Sequence, residues 1–308
     1  MTTRQARVGA LLLAAATSLS LAACGSETLN TGGGGATATG GSSATPTVKA
    51  VTADPALAAL VPAKIKSAGV IKVGSDASYA PNEFTDTDGK TIVGMDVDLF
   101  SAVAKKLGVK AQFQNADFGS IILKVSGGQF DAGVSSFTIN AERKKQVNMV
   151  QYFNAGTLWA VPKGNPKKID PEQACGLKVG VQQGTVQVDD LTARSKKCTD
   201  AGKPAISQVV EVAQSKVTAD LVSGKVDAMA ADSPITNYAV AQTNDALEVV
   251  GKIYDSAPYG IVTAKADTQL AEAVSKAFAS LKADGTYDEI LAKWSNKDGG
   301  VTEFPVNP

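Results

Sequence analysis

The chain has 308 residues, with 30 basic and 30 acidic side chains that cancel, 44% hydrophobic residues, three cysteines and no histidine. A balanced charge excludes binding driven by neutralising phosphates or an anionic membrane surface. The missing histidine rules out Ser-His and Cys-His catalytic pairs and leaves a conventional zinc site without its usual ligand.

At the N-terminus, Arg4 and Arg7 precede an uncharged apolar run from Val8 to Leu21 that ends in Leu21-Ala22-Ala23-Cys24. That order is the pattern of a signal peptide, and the run is too short for a membrane span. Small residues directly before a cysteine resemble the lipobox at which bacterial lipoproteins are cleaved and acylated, which would make Cys24 the first mature residue. The other reading is a cysteine lost with an ordinary leader. Residues 25–49 are dominated by Gly, Ala, Ser and Thr, a composition that cannot bury enough apolar surface to fold and reads as a tether. Losing Arg4 and Arg7 with the leader leaves the mature chain slightly acidic. Cys175 and Cys198 then remain, and outside the cell such a pair reads as a disulfide.

From Val70 onward short apolar runs alternate with amphipathic segments, which predicts an α/β fold with largely parallel strands. Strands are expected over 70–75, 110–115, 132–135, 178–182, 206–210 and 226–231. A helix is expected over 268–284, where Leu270, Ala273, Val274, Ala277, Phe278 and Leu281 recur at helical spacing. An internal echo adds organisation: Val70-Ile71-Lys72-Val73-Gly74 is matched by Gly176-Leu177-Lys178-Val179-Gly180, and Gly128-Gln129-Phe130-Asp131-Ala132 by Gly224-Lys225-Val226-Asp227-Ala228. Two lobes of similar construction follow, with crossings at 162–166 and 251–258, where Gly and Pro interrupt the pattern. The expected division is a leader over 1–23, Cys24 and tether over 24–63, a first lobe from 64–161 plus 256–308, and a second over 162–255.

Open α/β sheets bind ligands beyond the carboxyl ends of their strands. Those ends carry Asp76 to Phe84, with Tyr79 among them, Ser135-Ser136-Phe137-Thr138 followed by Glu142-Arg143, Gln182-Gln183-Gly184-Thr185-Val186, and Asp232. One cation, carboxylates, hydroxyls, a helix N-terminus and an aromatic ring suit a zwitterion. Arg143 offers a planar fork for a carboxylate, or else belongs to the solvated run Glu142-Arg143-Lys144-Lys145. Asp232 can hold an ammonium, or cap the helix that begins at Ser233-Pro234. Gly184-Thr185-Val186 can present N–H groups to an anion or simply start a helix. Tyr79 and Phe118 flank an aliphatic chain or fill the core. Asp96 and Asp98 sit in the first turn of a helix, where the dipole favours negative charge, and read as structural.

The run Gly94-Met95-Asp96-Val97-Asp98-Leu99, continuing through Val103-Ala104 to Leu107, resembles the signature of family 3 extracellular solute-binding proteins, the polar amino acid receptors of ABC importers. The likeness extends through Ser135 to Ile139 with Glu142 to Lys145, Gln183-Gly184-Thr185, Val226-Asp227-Ala228 and the ending from Leu281 to Trp294. It implies a type II periplasmic-binding fold, two α/β lobes joined by two hinge strands that close on an amino acid. By that resemblance Arg143 grips the α-carboxylate with Thr138, the Thr185 hydroxyl and the Val186 N–H. Asp232 holds the ammonium with Ser136, Tyr79 and Phe118 flank the side chain, Asp76 and Ser135 face its polar end, and Gln182 joins the set at its strand end. Met95, Val186 and Ala80-Pro81-Asn82 depart from the family pattern, the last at the pocket rim. The expected partners are an amino acid, polar or cationic, permease subunits of an ABC importer, and a membrane through the lipid anchor alone, at the extracellular face of the cell membrane or in the periplasm. No nucleic acid, metal or cofactor is expected, and the protein is expected to be a monomer without enzymatic activity. The alternative is an exported prephenate or arogenate dehydratase on the same scaffold, with Glu83 as its spare acid.

Overall fold

Alternation of apolar runs and amphipathic segments produces the expected strands and helices almost residue for residue. The structure is a computed structural model that describes residues 48–308. The leader over 1–23, Cys24 and most of the tether lie outside the described residues. In chain order the first part comprises α1 (Pro55–Ala59), α2 (Ala63–Ala68), β1 (Val70–Ser75), β2 (Ser78–Tyr79), β3 (Glu83–Thr85), β4 (Ile92–Val93), α3 (Met95–Lys106), β5 (Lys110–Asn115), α4 (Phe118–Ser126), β6 (Ala132–Thr138), α5 (Ala141–Gln146) and β7 (Val147–Pro162). Next come β8 (Lys178–Gln182), α6 (Val186–Asp200), β9 (Ser207–Glu211), α7 (Gln214–Val222), β10 (Ala228–Asp232) and α8 (Ser233–Gln242). The chain returns through β11 (Leu247–Ala264) to α9 (Thr268–Ala283) and α10 (Thr286–Lys293).

Eight strands form one sheet in the order β5-β1-β6-β11-β7-β10-β8-β9. Its outer strands are parallel, β1 with β5 and β6, and β8 with β9 and β10. The central pair β7 and β11 runs antiparallel, β11 also pairing with β6 and β7 with β10. Two α/β lobes are thus joined by two long strands. Each lobe has its own apolar clusters, one containing Phe100, Phe278 and Tyr287, another Trp159, Val181 and Leu191. In α9 all six apolar positions expected to face the core are fully buried, and the Asp267 side chain caps the first turn by accepting from Leu270 N at 3.1 Å.

The echo in the sequence is a repeat in the structure. Asp131 N donates to the Lys72 carbonyl at 2.9 Å and its carboxylate accepts from Lys72 N, also at 2.9 Å. Asp227 makes the same two bonds with Lys178, at 2.7 and 2.8 Å. The paired strand glycines share one reason: a Cβ at Gly74 would strike the Phe130 ring at 2.4 Å, and one at Gly180 would press on Val217 at 3.0 Å and Val226 at 3.4 Å.

Two sequence expectations need correction. Residues counted with the tether up to 63 include α1, where Asp54 caps the helix, Pro55 opens it, and Leu57, Leu60 and buried Val61 pack on the first apolar cluster. The crossing read at 162–166 lies too late, in the turn that follows β7, and the one read at 251–258 is a stretch of strand. Thr157 already pairs with Asp232 of β10, ahead of Pro162, and 251–258 lies inside β11. Gly251 falls where β11 is irregular against β7, with register shifts between Val250 and Tyr254 and between Tyr254 and Ala257, and Pro258 keeps its place opposite Asn154. Gly156 is required opposite those shifts, since a Cβ there would lie 2.6 Å from Ile253 and from the Tyr254 carbonyl. In the second lobe Cys175 and Cys198 are joined in a disulfide, tying α6 to the segment before β8.

Candidate functional site

Sheet geometry brings the carboxyl ends of β1, β6, β8 and β10 to one cleft between the lobes, as parallel α/β topology requires. A small cavity there is lined by Tyr79, Phe118, Ser136, Thr138, Arg143, Thr185, Val186, Gln187 and Asp232. Eight of those nine are among the residues singled out from sequence. The other three, Asp76, Ser135 and Gln182, stand beside the cavity in one hydrogen-bonded set. Asp76 N donates to Ser135 Oγ at 3.0 Å, and Gln182 Nε2 reaches across the cleft to Asp76 Oδ2 at 2.8 Å.

Arg143 leaves its charged neighbours at the start of α5. Asn140 caps that helix, its side chain accepting from Arg143 N at 2.8 Å, which turns the guanidinium inward. Glu142 and Lys145 stay exposed and pair at 2.6 Å, whereas Arg143 is buried. Its Nη1 donates to the Thr138 carbonyl at 2.7 Å and its Nη2 to the Gly184 carbonyl of the other lobe at 3.0 Å. The guanidinium lies 5.4 Å from the centre of the Phe118 ring, itself stacked on Phe137 at 4.7 Å. Burial lowers the affinity of Arg143 for its proton, and the charge of Asp232 opposes that shift.

Asp232 is buried at the end of β10, and it makes no side-chain cap to α8, so the capping reading is not what the structure contains. Its Oδ2 accepts from Tyr79 and Tyr259 hydroxyls, each at 2.7 Å, and its Oδ1 from Gln187 Nε2 at 2.8 Å. Burial pushes its carboxyl up, while the bonds from Tyr259, Tyr79 and Gln187 and the charge of Arg143 pull it back. Asp232 and Arg143 form no direct ion pair. They present opposite charge to one space from opposite lobes. At the mouth of α6 the Thr185 hydroxyl donates to the Gln182 carbonyl at 2.8 Å, and Val186 is the first helical residue, so N–H groups of the first turn point at the cleft.

Asp76 is likewise raised by burial, opposed by its bonds from Ser78 and the Phe118 N–H. Beside it, Gln182 Oε1 is a buried acceptor without a protein donor. Ser135 and Ser136 rest on a deeper layer. Ser135 Oγ donates to Glu83 Oε1 at 3.0 Å, and Ser136 N donates to Asp96 Oδ2 at 3.0 Å. Gly94 permits that layer: with φ +138° it lies so close to Asn82 that a Cβ would meet the Asn82 carbonyl at 2.2 Å. The two acids of the Gly94-x-Asp96-x-Asp98 run therefore differ. Asp98 is structural as expected, pairing with Lys293 at 2.7 Å and accepting from Trp294 Nε1 at 2.8 Å. Asp96 is fully buried under the site.

Sequence reasoning missed Gln187, Tyr259, Glu83 and Asp96 in these positions. Gln187 was one residue past the Thr185-Val186 pair, and its helical place in the first turn of α6 was the available signal. Tyr259 had none, because β11 was read as a crossing.

Comparison with known proteins agrees with this architecture. The bacterial extracellular solute-binding proteins, family 3, match residues 71–297. The arginine-binding protein ArgT of Corynebacterium glutamicum is 37% identical over 255 residues, 82% of this chain and 83% of that protein. The ABC transporter glutamine-binding protein GlnH of Bacillus subtilis is 31% identical, over 67% of this chain and 74% of its own length. Among solved structures, an ancestral arginine-binding protein bound to arginine is 38% identical with a TM-score of 0.68, covering 73% of this chain and 98% of that one. An ancestral amino acid-binding protein described as a precursor of cyclohexadienyl dehydratase is 34% identical with a TM-score of 0.68, over 75% and 97% of the two chains. The chain belongs to the bacterial extracellular solute-binding proteins, family 3.

Proposed function

We propose that this protein is the lipid-anchored, extracellular receptor of an ABC importer and that it captures a cationic amino acid, L-arginine first, between its lobes. The observation that carries the reading is the convergence of Arg143 and Asp232 from separate lobes on one cavity. A carboxylate and an ammonium on one guest satisfy both at once, and neither lobe alone supplies both charges. Cationic character is supported by the other end of the cleft. There the buried Asp76 carboxylate lies next to Gln182, whose free Oε1 is an acceptor suited to a guanidinium N–H. The arginine-binding relatives point the same way.

Calorimetry on the purified protein tests this. Arginine is expected to bind, with lysine weaker and the uncharged isostere citrulline weaker still. Citrulline binding as tightly as arginine would remove the case for a cationic guest. Ligand at about 100 times its Kd should also raise stability by roughly 2.7 kcal/mol.

Binding without turnover is the fitting chemistry. A dehydratase on this scaffold would need a free acid or base in reach of the guest. Asp232 is held by three donors, and Glu83 is not among the lining residues, standing behind Ser135 and Ser136. Prephenate and arogenate are expected to survive incubation with the protein. The anchor at Cys24 is tested by mass spectrometry of the mature N-terminus from membranes, where a diacylglyceryl cysteine is the expected first residue.

A further inference from the structure

Two carboxyl groups, Glu83 and Asp96, lie fully buried beneath the bulge that Ser135 and Ser136 make in β6 against β11, and no cation among the described residues neutralises them. Their donors are unevenly spent. Ser136 N, Ser136 Oγ and the Tyr152 hydroxyl all converge on Asp96 Oδ2. Ser135 Oγ serves Glu83 Oε1 at 3.0 Å. The single proton of Ser136 Oγ can go to Asp96 at 3.2 Å or to Glu83 Oε2 at 3.5 Å, but not to both. Asp96 Oδ1 is buried with no donor among the described residues. One more proton is therefore needed, and a Glu83 carboxyl facing Asp96 is the group placed to carry it.

We propose that Glu83 and Asp96 are positioning residues of the binding site, a carboxyl–carboxylate pair that shares one proton and thereby fixes the Ser135–Ser136 bulge of β6. This rests on the reading of that bulge as part of the ligand site. Ser136 adopts φ +52°, a left-handed conformation that costs a serine about 1 kcal/mol or more and persists only where surroundings impose it. The Asp96 bond to Ser136 N and the Asn82 Nδ2 bond to Ser136 Oγ, at 2.9 Å, are that imposition. Burial raises both acids, and Asp96 raises Glu83 further. The other titratable groups facing the pair are Asp76 after β1, Tyr79 on β2, Tyr152 on β7 and Tyr287 on α10, none of which brings positive charge. The folded protein thus holds a proton that an unfolded glutamic acid would release. The contribution of this pair to stability and to the bulge is fully present at low pH and weakens as pH rises from the ordinary carboxyl range through the raised value of Glu83.

The test compares arginine binding by wild type, Glu83→Gln and Glu83→Ala across pH. Glutamine keeps the shape of a protonated glutamic acid and donates to Asp96 at every pH. Expected results are neutral-pH affinity of Glu83→Gln close to wild type, loss of roughly tenfold in Glu83→Ala, and an alkaline decline in wild type that is shallower in Glu83→Gln. Titration of the ligand ammonium is common to all three proteins and cancels in the comparison. Identical pH profiles for wild type and Glu83→Gln, or full affinity in Glu83→Ala, would overturn the proposal. Infrared spectroscopy of the free protein gives a second readout independent of the ligand: a protonated carboxyl band at neutral pH that Glu83→Gln abolishes. A band that persists in Glu83→Gln, or is missing in wild type, refutes the shared proton even if arginine proves not to be the guest.

Discussion

The two lobes are built on one repeat but furnish the cleft unequally. In the first lobe the polar groups hold one another: Ser135 bridges Asp76 and Glu83, and Ser136 rests on Asp96. In the second lobe Gln187 holds Asp232 from within, and the rest is completed from across the cleft. Asp232 takes a bond from Tyr79, and Gln182 donates to Asp76. The first lobe therefore orders most of its own polar groups, while the second relies more on partners from across the cleft.

The comparison can be broken most directly at Arg143, a first-lobe residue whose donors reach both lobes. Arg143→Ala should cost about 2 to 5 kcal/mol of arginine affinity by calorimetry while circular dichroism stays unchanged. An undiminished affinity would show that the first lobe is not the receptor. Reduction of the Cys175–Cys198 bridge, which spans 23 residues, should lower stability by about 3 kcal/mol and should do so in the second lobe. The two tryptophans separate the lobes, since Trp159 packs in the second-lobe cluster and Trp294 against the first. In single-tryptophan variants, denaturant melting should move earlier for Trp159 than for Trp294. Equal shifts would mean that the lobes unfold as one unit.

A finer probe is Gln182→Leu, which removes a buried donor to a carboxylate. Arginine affinity should fall by about 1.5 to 3 kcal/mol, with a smaller loss for ligands lacking a guanidinium. The smallest effect should come from Tyr79→Phe, which deletes one of three bonds to Asp232 and should cost about 1 kcal/mol. If closure is what Tyr79 supports, the loss should appear in the dissociation rate measured by stopped flow. A change confined to association would place Tyr79 with the first encounter instead.

Much of this was legible in the sequence because period and chemistry coincide. The strands over 70–75, 110–115 and 178–182 were fixed by short apolar runs, and α9 by its spacing, since burial of one face is what those patterns encode. Site residues at strand ends followed from topology. What stayed hidden was tertiary. The solvated alternative for Arg143 and the capping alternative for Asp232 can be dismissed only when burial and partners are seen. Asp96 looked like a helix-dipole acid because its position in the first turn is the same whether it faces water or Ser136. β7 and β11 were unreadable as continuous strands because Gly and Pro within them ordinarily end a strand, whereas here Gly156 and Gly251 sit where the ladder is already broken and Pro258 stays within it.

That pair of strands has a mechanical consequence. β7 and β11 lie side by side through the passage between lobes, so the link is a ribbon and not two separate threads. A ribbon bends more readily out of its own plane than it shears within it. The register shifts on either side of Tyr254 interrupt its ladder opposite Gly156, so any bend between the lobes would fall on a crease already present in the fold.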